Sequence, residues 1–507
     1  MQIQKSSFAA DFRKEFYMHA KFEHDRMMHA PIPRLLLSLA LPSMASMLIT
    51  SAASLVDSLT VSSLGTEATG AVGICFSLMA CIQAVGFTLG MGGGSLISLQ
   101  LGEKDVTAAS CIASVSFFTA ILSGLIIACG IFWRTPILRL LGASDAILPL
   151  ASEYSVYIFL AAPFLTGLLC LSHLLRAEGH TGRALTGIAA AGLLNMALDP
   201  LLVGPLGVQG ISLATLISHA LGFGVLLFTF CTGKTSLQLQ WPRLCRRDGP
   251  SRKQSPCSGD GPSPAKASHQ GDRSSRKTKF RRQLRPGCTR PLLPSILASG
   301  SPSLLRQGLA AVSAILLSRA ARQQSDAAVA AMSVAGKIFM IPFTLMLGYA
   351  QGLQPLIGFN FANHNAKRIR QASHFTLWTG TVSLAAAGGL LYWRAEQLVN
   401  LFMEAGDGPA IASAALRAGA LTLPLIPSCT LANLGYQAVK RPAIASFLAA
   451  ARQGLFFIPL IVWLPGLWGL SGVQFAQALA DGATFLLSAP FLVYFFRKAV
   501  DNKSGKV

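Results

Sequence analysis

The chain has 507 residues, 52% of them hydrophobic and only 12% charged, yet its formal net charge is +21. A soluble domain carries about 25% charged residues, so half that value, with a mean hydropathy of +0.51, excludes an ordinary water-soluble fold. The ten cysteines show no paired spacing, which argues against a disulfide scaffold.

Taken in chain order, residues 1–33 mix charges with His and Met and are expected to form a cytoplasmic tail rather than a cleaved leader. Twelve apolar stretches follow, each long enough to cross a bilayer as a helix, for which about 20 residues suffice. They lie at 34–63, 69–101, 108–133, 154–175, 184–203, 207–231, 294–320, 327–358, 371–392, 412–437, 443–465 and 472–496. The short alternating segments of a transmembrane β-barrel are absent from the sequence. The expected fold is therefore an all-α membrane protein of twelve transmembrane helices, its partner the lipid bilayer. Spans one to six form an amino-terminal lobe at 34–231 and spans seven to twelve a carboxy-terminal lobe at 294–497. A linker at 232–293 joins them, and 498–507 is a second cytoplasmic tail.

The linker holds most of the charge excess. Between Lys234 and Arg290 there are fifteen Lys/Arg and three Asp, among many Ser, Pro and Gly. Such a composition cannot bury a core and is expected to be disordered. Its bland role is topogenic; contact with anionic lipid or an acidic partner is the other, and nothing points to nucleic acid. With both termini inside, the short inner loops carry Lys104, Arg176, Arg183, Lys367, Arg368, Arg370, Lys440 and Arg441. The outer loops carry Arg134, Arg139, Arg319, Arg322 and Arg394. Eight against five is a modest bias, but it puts the linker and the tail on the inner side, as the positive-inside tendency requires.

The chain also resembles itself. "ALPS" at 40–43 is echoed by "GSPS" at 300–303, "GMGGGSLIS" at 90–98 by "GYAQGLQPLIG" at 348–358, and "GVQGISLAT" at 207–215 by "GLSGVQFAQ" at 469–477. "RAEGHTG" after span four finds "QAVKRPA" after span ten. Four echoes in one order at one offset of about 260 residues make a repeat. Six spans per half bring both halves in from the same side, so a pseudo-two-fold axis should run along the membrane normal. Gly90 with Gly94, and Gly348 with Gly352, are small-xxx-small pairs that let helices approach closely.

Ionisable groups inside spans cost roughly 2.5–3.5 kcal/mol each on insertion scales and are functional candidates. The first half contains Asp57 and Asp199. Asn195 lies four residues before Asp199 and so shares its helical face, and Pro200 cannot donate to Met196, which frees a carbonyl. Amide oxygen, carboxylate and carbonyl are hard ligands suited to Na⁺; two neighbouring carboxylates could instead take up a proton. The second half differs: Arg306, Gln307, Lys337, Arg452 and Asp481 could form a polar network in which Arg452 and Asp481 neutralise one another.

The segments "PIPRLLLSLALPSMASMLITSAASLVDS", "GMGGGSLISLQLGEKD", "LNMALDPLLVGPLGVQGISLATLIS", "SPSLLRQGLAAVSAILLSRAA", "QGLQPLIGFNFANHNAKRIRQA" and "ARQGLFFIPLIVWLP" resemble the multidrug and toxic compound extrusion (MATE) transporters, nearest the bacterial DinF-like and MepA-like branch. The resemblance runs from about residue 30 to 497, excluding the insert. It implies a V-shaped pair of six-helix lobes in the inner (plasma) membrane that export amphipathic, mostly cationic drugs by antiport with H⁺ or Na⁺. By that likeness the cation site falls on Asp57, Asn195, Asp199 and Thr215, which would be metal ligands if Na⁺ is the coupling ion. No cofactor is implied beyond that ion, and a monomer is expected. A flippase for a lipid-linked precursor, or an exporter of one metabolite, would fit the same architecture. An enzyme is not expected, since HExxH, GxSxG and clustered histidines are missing from the sequence.

Overall fold

A computed structural model of the chain describes residues 23–499 apart from 63, 146, 234, 241–288 and 404–405. Among them every regular element is helical. Twelve long helices follow one another. The first six are α1 (Ile32–Ser62), α2 (Thr66–Gly102), α3 (Val106–Ala128), α4 (Leu148–Glu178), α5 (Thr181–Leu206) and α6 (Val208–Cys231). The second six are α7 (Thr289–Gln324), α8 (Asp326–Ala362), α9 (Ala366–Asn400), α10 (Asp407–Ala438), α11 (Pro442–Trp468) and α12 (Leu470–Tyr494). Eleven are apolar and long enough to cross a bilayer. The other, α9, has 35 residues, about 50 Å of helix at 1.5 Å per residue. Lys367, Arg368 and Arg370 at one end, Arg394 and Glu396 at the other, and Ser, Thr and Gly between them dilute its hydropathy. Its Trp378, Val382 and Leu390 nevertheless stand exposed, as side chains facing lipid do. The chain is a multi-pass membrane protein.

The internal repeat reaches the backbone of the turns. Gly207, between α5 and α6, has φ 55°, ψ −133°; Gly469, between α11 and α12, has φ 57°, ψ −131°. Lys104 and His364, at the matching ends of α2 and α8, both have positive φ, 62° and 56°. Asp105 then caps α3 by accepting from Ala108 N (2.9 Å), and Asn365 caps α9 by accepting from Arg368 N (3.3 Å); an acceptor side chain satisfies one of the first turn's orphan N–H groups. One set of turn instructions is written twice, and it yields two six-helix lobes.

All turns with Lys104, Gly179, His364 and Lys440 lie on one side of the molecule, here termed the basic face. The buried apolar residues show how the lobes meet. One continuous core runs through the basic half of both lobes, from Leu36 and Ile97 to Leu356 and Tyr436. In the other half there are two separate cores, one around Val72, Ile158 and Phe159 in the N lobe and one around Ala331, Leu416 and Ile461 in the C lobe. The lobes are therefore fused toward the basic face and distinct away from it.

Glycine makes the seam possible. A Cβ on Gly352 of α8 would fall 2.7 Å from Ala40 Cα of α1, and one on Gly348 2.8 Å from Met44 Cα. Where α2 crosses α7, a Cβ on Gly92 would meet Ile296 O at 2.2 Å and one on Gly300 would meet Thr88 O at 2.0 Å. Gly90 and Gly94 pack differently, against His173 of α4 inside the N lobe. Polar contacts reinforce the seam. Asn363 Nδ2 donates to Gly102 O (2.8 Å), Asn360 Nδ2 to Met27 O (3.2 Å) and Arg368 Nε to Met27 O (3.1 Å). The helical residues 23–29 thus bridge the two lobes at the basic face.

Part of the expected linker is structured. Residues 235–240 run against α3 and α4: Gln238 N donates to Ser110 Oγ (3.2 Å), Gln240 N to Ser114 Oγ (2.9 Å), and Ser236 N to Glu178 Oε1. Thr235, Ser236 and Leu237 are buried, because this stretch precedes the basic composition and offers Ser, Thr and Leu to a helix groove. Residues 289–293 belong to α7. Both stretches depart from the disorder expected over 232–293; the strongly basic 241–288 lies outside the described residues.

Candidate functional site

The N-lobe candidate is built from four helices. Asp57 lies five residues before the end of α1 and Asp199 seven before the end of α5, about 8 and 10 Å of helix, so both carboxylates sit at similar depth in the half away from the basic face. Both are buried, as are Asn195 and Thr215. Asn195 Nδ2 donates to Asp199 Oδ1 (3.0 Å), the contact that the i, i+4 spacing on one helical face allows. Asp57 and Asp199 are close enough to feel one another's charge. Thr215 donates to Ile211 O (3.1 Å) one turn back, which leaves its oxygen lone pairs available.

Two carboxylate oxygens, Asp57 Oδ1 and Asp199 Oδ2, are buried with no hydrogen-bond partner. The hydroxyl of Tyr154 on α4 is buried as well; this fully buried side chain lies within electrostatic reach of Asp57, Cys75 and Asp199 and beside Thr215. Tyr154 is the residue that the sequence reading misses. Its signal is a phenol inside an apolar span, since a buried Tyr O–H ordinarily finds a partner. Carboxylates without partners in low dielectric are costly unless a cation or proton neutralises them. The cluster offers two carboxylates, an amide oxygen and two hydroxyls, all hard donors that fit Na⁺, and its acids fit a proton equally.

The C lobe carries a different arrangement. Arg452 sits in a π-helical stretch of α11 (Ala451–Phe457) and grips Asp481 of α12 bidentately, Nε to Oδ1 at 2.7 Å and Nη2 to Oδ2 at 3.2 Å. Gln477 Nε2 donates to Asp481 Oδ1 (2.9 Å), and the Arg452 guanidinium lies 4.2 Å over the Phe343 ring. This carboxylate is satisfied, unlike those of the N lobe. Lys337 does not join it: that side chain is exposed on α8. Arg306 and Gln307 are half-buried on α7, and Arg306 Nη2 turns across the seam to Met91 Sδ (3.5 Å). The expected five-residue network contracts to Arg452 and Asp481, with Gln477 added. The signal for Gln477 was its place four residues before Asp481.

Arg176 also departs from expectation. It is a buried residue of α4 at the seam rather than a loop cation, because α4 continues to Glu178 and its last turn is covered by α8.

Comparison with known proteins bears on this arrangement. The MatE family model matches residues 42–201 and 302–463, one match in each lobe, with starts 260 residues apart (302 − 42). The chain belongs to the MatE family. It is similar to the multidrug export protein MepA of Staphylococcus saprophyticus, 24% identical over 432 residues that cover 84% of this chain and 85% of the relative. A FAD transporter of Shewanella oneidensis is 32% identical over 199 residues, 38% of this chain and 44% of that one. Among solved structures, an outward-facing conformation of a multidrug resistance MATE family transporter of the MOP superfamily superposes with a TM-score of 0.80 at 21% identity, covering 94% of this chain and 98% of the other. At that identity the likeness establishes the fold alone: two six-helix lobes.

Proposed function

We propose that this MatE transporter exports amphipathic, mostly cationic organic compounds by antiport with H⁺ or Na⁺, with alternating access between its two lobes. The observation that carries the reading is the pair of unpartnered buried carboxylate oxygens on Asp57 and Asp199. A cation entering from outside is held by Asp57, Asn195, Asp199 and Thr215, with Tyr154 beside them. Neutralisation removes the need to hydrate the two acids, so α1 and α5 repack and bound substrate leaves outward. The loaded N lobe then returns and releases the cation inward. A ligand shifts such an equilibrium only through unequal affinity for the two states, and neutralising a carboxylate in low dielectric supplies that inequality. The basic face is cytoplasmic, by the location of its Lys and Arg, and with it both termini; the protein acts as a monomer in the inner membrane.

The experiment is Asp199→Asn in proteoliposomes, with pH and Na⁺ gradients imposed separately. The substitution preserves shape and the Asn195 contact but removes the charge. Gradient-driven ethidium efflux is expected to be lost with thermal stability retained; unchanged efflux would refute the coupling role. The similarity of one lobe's length of chain to a FAD transporter favours a second reading, export of a single metabolite or flipping of a lipid-linked precursor. Counterflow with flavin nucleotides and with lipid-linked sugars, set against a drug panel, separates the two.

A further inference from the structure

Apart from the carboxylate cluster, the seam between the lobes holds a small cavity about two turns inside the basic face. Ser98 of α2, His173 and Arg176 of α4, and Gln351 and Gln354 of α8 line it. Arg176 is only 3% exposed and makes one hydrogen bond, from Nη1 to Gln351 Oε1 (2.9 Å). Its Nε and Nη2 are buried without a partner, and so are Gln351 Nε2, Gln354 Nε2 and His173 Nε2. No carboxylate of the described residues forms an ion pair with Arg176. The acid next along the chain, Glu178, faces away, toward Ser236 N and His180 Nδ1. Arg306 adds charge of the same sign: it and Arg176 both lie within electrostatic reach of His173.

The donor imbalance identifies the ligand. Guanidinium and amide N–H groups can only donate, and the Gln351 carbonyl is already taken by Arg176. A water would accept two of these hydrogens but bring two more, and it would leave the guanidinium charge uncompensated. An anion accepts from the guanidinium and amide N–H groups together and supplies the missing charge, which a buried cation requires. The room for a particle's centre is about 10 Å³, which admits a single halide ion but not phosphate or a substrate body.

We propose that this cavity binds a monoatomic anion, chloride in the cell, held by Arg176 from the N lobe and by Gln351 and Gln354 from the C lobe. Because the donors come from both lobes, the site exists only while the basic face is closed. Chloride therefore stabilises the closed arrangement and is released when the lobes part there.

The test uses the purified full chain in nanodiscs at fixed Na⁺ and ionic strength, with chloride, bromide or gluconate as the anion. Thermal unfolding and the distance between spin labels at Gly182 and Ala443, one on each lobe, are read together. Halide at ten times its dissociation constant should raise the closed-to-open ratio about tenfold over gluconate and raise the unfolding midpoint. Arg176→Gln, which keeps an amide donor but loses the charge, should abolish the halide response. If that variant does not fold, Gln354→Leu, at a half-buried position, should weaken the halide response by several-fold. Identical behaviour of the wild type in chloride and gluconate would mean that the cavity holds water, and would overturn the proposal. A halide response undiminished in both variants would place the ion elsewhere and overturn it too.

Discussion

Replacing Gly352 by alanine adds one methyl group at the point where α8 crosses α1. Its Cβ would stand 2.7 Å from Ala40 Cα, 2.8 Å from Ala40 N and 2.9 Å from the Leu39 carbonyl carbon. These are backbone atoms of the other lobe, so no rotamer change relieves the clash, and the helices must separate locally by roughly 1 Å to reach ordinary carbon contact of about 3.5–4.0 Å. Overpacking of this kind costs about 1–3 kcal/mol. Alanine also gains up to about 1 kcal/mol of helix propensity over glycine, but that gain is present whether the lobes are together or apart at the basic face, and it cancels in their ratio. The clash does not cancel, because it exists only in the closed arrangement. Gly352→Ala should therefore shift the population toward a parted basic face by about 5–150-fold, read as a lengthened distance between labels on the two lobes. Two controls calibrate the effect. Gly308→Ala adds a methyl group into open space and should leave the distribution alone. Gly124→Ala, whose Cβ would meet Pro163 Cα at 2.5 Å within the N lobe, should lower thermal stability without moving the lobes. A Gly352→Ala protein whose distances and midpoint match the wild type would refute the seam as the element that closes this face.

Asp481→Asn leaves the half-buried Arg452 without its counter-charge and should lower stability, by at most about 3–5 kcal/mol, whereas Asp481→Leu combined with Arg452→Met should be nearly neutral; equal losses in thermal unfolding would rule out a structural ion pair. Tyr154→Phe removes a buried hydroxyl whose hydrogen-bonding neighbour is Thr215, so stability should change by less than about 1.5 kcal/mol. If the hydroxyl contributes to the cation site, half-saturation for the driving ion should rise by up to about tenfold, a shift that ion-titrated efflux would detect. Gly207→Ala forces a side chain into φ 55°, ψ −133° and should cost about 1–3 kcal/mol, with the same outcome for Gly469→Ala if the halves are equivalent. Ser110→Ala with Ser114→Ala removes the acceptors for Gln238 N and Gln240 N, and limited proteolysis after residue 234 should accelerate; unaltered cleavage would mean that burial of Leu237 alone secures the segment.

Hydropathy alone was enough to place the spans, because a bilayer of fixed thickness demands long apolar runs and the helix satisfies its own backbone. The repeat was legible for the same local reason: turn residues such as Gly207 and Gly469 carry their conformation with them. Asn195 and Asp199 could be paired from their spacing, since four residues make one turn of helix. What the one-dimensional record does not contain is which turn of one helix faces which turn of another. It could not tell that Tyr154 stands beside Thr215, that Lys337 faces outward while Gln477 faces Asp481, or that Arg176, numerically at the end of a span, is buried under α8. Nor could it separate the Gly90/Gly94 pair, which packs within a lobe, from Gly348/Gly352, which closes the gap between lobes. Those outcomes depend on helix crossings set by close packing across hundreds of residues of sequence, and only the assembled lobes decide them.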